Sequence, residues 1–302
     1  MQFATHRRRS PLGRHGVAKA ALVGTAMMAL AACGSSSGGG SASTGGGNEL
    51  AAIKSSHKIS VADCLSFKPF GFYGSNGQPQ GYDVDLAKLL AKKLHAKLNL
   101  VNVTSDNRIP YLQTGKVNVV FCNFTITPDR AQAIDFTIPY VVSGEGVLVN
   151  KNAGIASPSD LSGKKVAVTK GSTNSQLVLQ VAPDAQVQAY NDDNSAIQAV
   201  KSGQADAFIE DLNYLTYQAT TDPNLQLLHG TLGSKEYNGW GVKQGQAQLR
   251  KYLDAFIRKV TADGTSLKLY HKWFHASPLY PLSYTTNPTS GLNLVKQAEN
   301  GS

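Results

Sequence analysis

The stretch VVFCNFTITPDRAQAIDFTIPY, Val119 to Tyr140, constrains the fold of this chain more than any other. The run from Val117 to Cys122, interrupted only by Asn118, is short, apolar and β-branched, as a buried strand is. Polarity then changes within a few residues. Thr127, Pro128 and Asp129 give a hydroxyl N-cap, a proline at the first helical position and an acid in the first turn, so a helix is expected to start there. The first N–H groups of a helix lack internal acceptors and carry the positive end of its dipole. Arg130 adds a forked donor that can hold a carboxylate through two parallel hydrogen bonds. Alone, this pattern reads rather as a capped surface helix with a solvated arginine.

A second segment with the same logic changes the balance. In KVAVTKGSTNSQ, Lys165 to Gln176, Val166 to Val168 read as a buried strand and Gly171 permits a tight turn. Thr173 to Gln176 then match a Thr-x-x-Gln capping box. Two strand ends that present helix starts suggest two lobes facing one small anionic group.

Around these segments strand and helix alternate. Strands are expected at Lys58–Ala62, Leu98–Val103, Val117–Cys122, Lys165–Thr169, Ala185–Tyr190 and Ala205–Glu210. A helix from Tyr82 to His95 carries Leu86, Leu89, Leu90 and Leu94 on one stripe, with acids at its start and lysines at its end. Asp193–Ser202 and Gln246–Asp263 read as further helices stopped by Gly203 and Gly264. The alternation implies α/β lobes with parallel sheets.

The formal charge of +9 over 302 residues misleads, because Arg7, Arg8, Arg9, Arg14 and Lys19 lie near the amino terminus. Of 29 basic residues, 24 remain against 20 acids, a balance of +4 that does not point to nucleic acid. Those bases precede an apolar stretch, Ala20 to Ala32, too short to span a bilayer as a mature helix. It ends in Leu30-Ala31-Ala32-Cys33, which resembles a bacterial lipobox, so residues 1–32 are expected to be a signal peptide and Cys33 a lipidated first residue. The Gly/Ser-rich stretch that follows is expected to be a flexible tether over 33–53, with an end-to-end distance of roughly 20 Å. The polar residues 285–302 read as a disordered tail.

The chain resembles the solute-binding proteins of ABC importers for polar amino acids. The likeness rests on GQPQGYDVDLAKLLAKKL from Gly77, VTSDNRIPYLQTGKVNVV from Val103, TITPDRAQAIDFTIPY from Thr125, DLSGKKVAVTKGST from Asp160, KSGQADAFIEDLNY from Lys201 and ADGTSLKLYHKWF from Ala262. What it implies is an α/β, two-lobed periplasmic-binding-protein-like fold of type II, with lobe 1 at 54–148 and 242–284, lobe 2 at 149–241, and hinge segments near 147–150 and 239–243. It also implies a monomeric receptor on the outer face of the cytoplasmic membrane, which needs no cofactor and delivers an amino acid to membrane permease subunits.

The ligand contacts implied by the resemblance are Asn123, Thr125 and Arg130 in the first lobe and Ser172, Thr173 and Asp211 in the second. Arg130 and the hydroxyls would take the α-carboxylate. Asp211 would take the α-ammonium, with Glu210 as the alternative on the opposite strand face. Phe67 and Phe72 are candidates for covering the aliphatic part of the ligand or for the core. Arg108, in Asn-Arg-Ile-Pro, is shared with relatives that resemble glutamate and aspartate binders. It would hold a side-chain carboxylate assisted by Lys68 or Lys170, with local capping as the alternative role and glutamine or asparagine as the rival ligands. Cys64 and Cys122 end strands expected to be neighbours and are read either as a disulfide or as two buried thiols. Relatives resembling cyclohexadienyl dehydratase supply an enzymatic alternative, for which Glu210 and Glu145 are the available general acids.

Overall fold

A computed structural model of the chain describes residues 48–282; the leader, Cys33, residues 34–47 and the tail lie outside them. The expected tether does not extend to residue 53. Asn48 caps a helix, Glu49–Ser56, by accepting from the Ala51 N–H, and the helix buries Ile53. Its Glu49 carboxylate accepts from the Asn118 amide at 2.7 Å, which ties it to the first strand region.

Eight strands form the path of a ten-stranded sheet: β1 (Lys58–Asp63), β2 (Lys97–Asn102), β3 (Val119–Thr125), β4 (Val141–Asn150), β5 (Lys165–Thr169), β6 (Gln186–Tyr190), β7 (Ala207–Asp211) and β8 (Leu232–Val242). Their order is β6-β5-β7-β4-β8-β3-β1-β2. The outer pairs are parallel, as the strand-helix alternation predicts. The centre differs: β4 runs antiparallel to β7 and β8, and β8 antiparallel to β3. The connecting segments expected near 147–150 and 239–243 are the far ends of β4 and β8. These long strands pair with each other at Val141↔Asn238, Val142↔Tyr237, Ser143↔Glu236 and Glu145↔Leu232, with a register shift between Leu232 and Glu236.

Helices pack on this sheet by the apolar stripes read from the sequence. Tyr82–Lys93 buries Leu86 and Leu90 and ends two residues before His95, which takes φ 51°. Ala247–Ala262 buries Leu249, Leu253, Phe256 and Val260. Each such side chain contributes on the order of 1.5–3 kcal/mol when removed from water. Trp240 of β8 stacks on Phe121 of β3 at 3.9 Å, fixing the two strands that lead into the pocket described next. Among the described residues no helix is long and apolar enough to cross a membrane.

Candidate functional site

Strand β3 makes an abrupt backbone turn near its end. Cys122 and Asn123 have φ of 58° and 41°, a region that costs a non-glycine residue about 1–3 kcal/mol. Two buried acids hold them there. Asp63 accepts from the N–H groups of Cys64 and Cys122, and Asp83, which accepts from the Tyr140 hydroxyl at 2.9 Å, lies where the backbone N–H groups of Cys122 and Asn123 favour its charged form. Cys64 and Cys122 form a disulfide, which decides between the two readings of these cysteines. The turn aims the Asn123 amide at Asp211, to which it donates at 2.9 Å.

Asp211 is the last residue of β7 and the N-cap of the helix Leu212–Thr221. One of its oxygens accepts from the N–H groups of Asn213 and Tyr214, and the other accepts from Asn123 and, at 3.5 Å, from Asn238. Because the strand ends here, Glu210 and Asp211 do not fall on opposite sides: both line one pocket. Glu210 is held there by the Asn174 amide at 2.9 Å.

Thr127 caps the single helical turn Pro128–Ala131, as its Thr-Pro-Asp-Arg sequence predicts. Arg130 reaches back from that turn to donate to the Thr125 carbonyl at 2.8 Å and across to the Gly171 carbonyl at 3.0 Å. Arg108 donates to that same Gly171 carbonyl at 3.1 Å, and to the carbonyls of Ser105 and Cys122. Both guanidiniums lie over the Phe124 ring, 4.2 and 5.0 Å from its centre. Burial and then the neighbouring Arg130 charge pull the Arg108 pKa down to about 9. The expected capping box at Thr173 does not form. Its backbone is already helical, so its hydroxyl points away from the helix and donates to Glu236 at 3.4 Å, while Ser172 accepts the Asn174 N–H.

Asn123, Thr125, Arg130, Ser172, Thr173, Asp211, Arg108 and Phe67 therefore line one pocket. Phe67 is stacked on Tyr214 at 4.1 Å. Phe72 is not among them. It stands edge-on to Trp273 and beneath the Lys68 ammonium, on an outer groove. Lys170 pairs with Asp106 at 3.3 Å outside the pocket. The sequence reading missed Glu236, Asp193 and Ser105. Glu236 sits in the polar run GSKEYN, which carries no strand signal, and only the register shift in β8 turns it inward.

Carboxyls outnumber guanidiniums here: Glu145, Asp193, Glu210, Asp211 and Glu236 face Arg108 and Arg130. Burial pushes Asp211 and Asp193 up to about 6. Glu145 and Glu210 are raised well above the usual carboxylate range, by burial first and then by neighbouring acids. Such a pocket can hold a group that is anionic at one point and cationic at another.

The model of the bacterial extracellular solute-binding proteins, family 3, matches residues 59–276. The chain belongs to this family. It is similar to the ABC transporter glutamine-binding protein GlnH of Bacillus subtilis, with 37% identity over 259 residues that cover 84% of this chain and 94% of that one. Among solved structures it is similar to the solute receptor for L-cysteine of Neisseria gonorrhoeae, at 32% identity and a TM-score of 0.71, covering 74% of this chain and 92% of that one. It is also similar to an ancestral amino acid-binding protein, a precursor of cyclohexadienyl dehydratase, at 35% identity and a TM-score of 0.70, with 75% and 99% covered. Family membership makes the chain the extracytoplasmic substrate-binding protein of an ABC amino-acid importer, on the two-lobed type II fold.

Proposed function

We propose that this receptor clamps the main-chain groups of a free polar amino acid, the α-carboxylate by Arg130, Thr125 and Thr173 and the α-ammonium by Asp211, and that it binds without chemical turnover. The observation that carries the reading is the convergence of these four side chains, drawn from β3, the turn after it, the start of Asn174–Val181 and the end of β7, on one pocket. A buried ammonium is tolerated only beside a charge partner, and Asp211 supplies one. A prephenate-type acid has no ammonium for it, which favours binding over the dehydratase reading.

The side chain of the ligand is proposed to be a neutral amide, as in glutamine or asparagine. Glutamate or aspartate, the expectation attached to Arg108, is less well supported by the surroundings. Three donors of that guanidinium serve backbone carbonyls, and a second ligand carboxylate would add to five acids already present. Calorimetric titration with glutamine, asparagine, glutamate, aspartate and arginine tests this. Glutamine at least tenfold tighter than glutamate, about 1.4 kcal/mol, supports the amide reading, and the reverse order restores Arg108 as a side-chain contact.

Closure is proposed to be a hinge motion between lobe 1 (54–148 and 242–284) and lobe 2 (149–241), about the crossing of β4 and β8, stabilised because the ligand touches both lobes only when they meet. Lipid on Cys33 would hold the receptor, as a monomer, at the outer face of the cytoplasmic membrane near its permease.

A further inference from the structure

Glu236 does more than add charge to the pocket. One of its oxygens accepts from the Thr125 hydroxyl at 3.0 Å and the other from the Thr173 hydroxyl at 3.4 Å, and its charge acts on Arg130. These are the three side chains that the proposed function, on which this inference rests, assigns to the ligand's α-carboxylate. A hydroxyl has one proton to donate, so neither threonine can serve Glu236 and a ligand carboxylate at once. Two carboxylates beside Arg130 would also repel each other in a desolvated site.

Glu236 has somewhere else to go. Together with Glu145 and Thr173 it lines both the ligand pocket and an adjoining groove formed by Gln176, Leu177, Gln180 and Gly233. The side chain is only half-buried, and because it can turn about its own side-chain bonds, its carboxylate can reach that groove while Glu236 stays paired with Ser143 in β8.

We propose that Glu236 is an internal competitor for the α-carboxylate subsite: it holds the Thr125 and Thr173 hydroxyls itself, and an incoming amino acid displaces it toward the adjoining groove. The competition lowers the affinity for every α-amino acid, whatever its side chain. It lets the receptor release its cargo by returning an internal carboxylate to the donors that the ligand leaves.

The test is calorimetric titration of the full chain carrying Glu236→Ala or Glu236→Gln, using whichever of glutamine, arginine and glutamate binds the unaltered protein most tightly. Thermal melting checks that each variant is folded. A gain in affinity of about threefold or more for Glu236→Ala, with a smaller gain for Glu236→Gln, which keeps one acceptor, supports the proposal. Thr125→Val should then weaken binding more in the Glu236→Ala background than in the unaltered chain, a coupling that a purely structural glutamate would not produce. Unchanged or weaker binding by Glu236→Ala overturns the proposal, because the glutamate would then be neutral or a ligand contact. The companion variant Arg130→Ala separates the two readings: if it leaves affinity intact, the carboxylate subsite itself is misplaced.

Discussion

Asn123 and Asp211, 88 positions apart in the chain, meet at 2.9 Å, and that contact is made from a strained turn. The turn is fixed by the Cys64–Cys122 disulfide and the buried Asp63 and Asp83, so the position of an amide in the pocket depends on groups behind it. Replacing both cysteines by serine is expected to lower stability by about 2–4 kcal/mol, since the bridge closes a loop of 58 residues. It should also weaken ligand binding. Denaturant unfolding and titration of the same variant check both; unchanged affinity would mean that the turn holds Asn123 without the bridge.

Gly171 has φ 82°, and a Cβ there would lie 2.5 Å from the backbone N and Cα of Asp106. Its carbonyl accepts from Arg108 and Arg130, and so joins residues assigned above to the two proposed lobes. Gly171→Ala is therefore expected to lower ligand affinity at least tenfold by obstructing closure, with a smaller effect on the unfolding midpoint of the unliganded protein. Loss of stability without loss of affinity would contradict this role.

Acid–base behaviour should split stability from affinity. Burial raises Asp83 to about 7 and Asp193 and Asp211 to about 6, so between about pH 4 and 7 the folded protein binds more protons than the unfolded chain. Stability of the unliganded protein should fall as pH rises through that window. Affinity should move the other way. Charged Asp211 is the form that pairs with an ammonium, so binding should release a proton and weaken by up to tenfold per pH unit below about 6. Titrations at pH 5 and pH 7.5 check the sign, and melting curves at the same values check the first claim.

Much of this arrangement was legible in the chain itself. The β3 strand, the Thr127 cap and the clustering of Arg130 with Asp211 follow from hydrophobic runs, capping residues and the family pattern. Side-chain orientation was less accessible. The true length and direction of β4 and β8 were hidden because their central residues mix glycine, serine and glutamate, and their pairing is long-range. Glu236 and the outward turn of Phe72 depend on a register shift and on local backbone geometry that no residue pattern announces.

The anchor proposed at Cys33 is expected to appear in membrane-extracted protein as a diacylglyceryl adduct on a mature first residue at that position. Mass spectrometry of the amino-terminal peptide checks it, and a mature terminus elsewhere would remove the tether from the account.

The most direct test of the amino-acid clamp is titration of the purified protein and of its Arg130→Ala variant with the polar amino acids. At least one, with glutamine expected first, should bind the unaltered protein at micromolar concentration or below. Arg130→Ala, which strands a ligand carboxylate without its buried partner, should weaken that binding by several kcal/mol, a hundredfold or more by the usual conversion. Failure of every free amino acid to bind, or near-native affinity of the Arg130→Ala variant, would contradict the account.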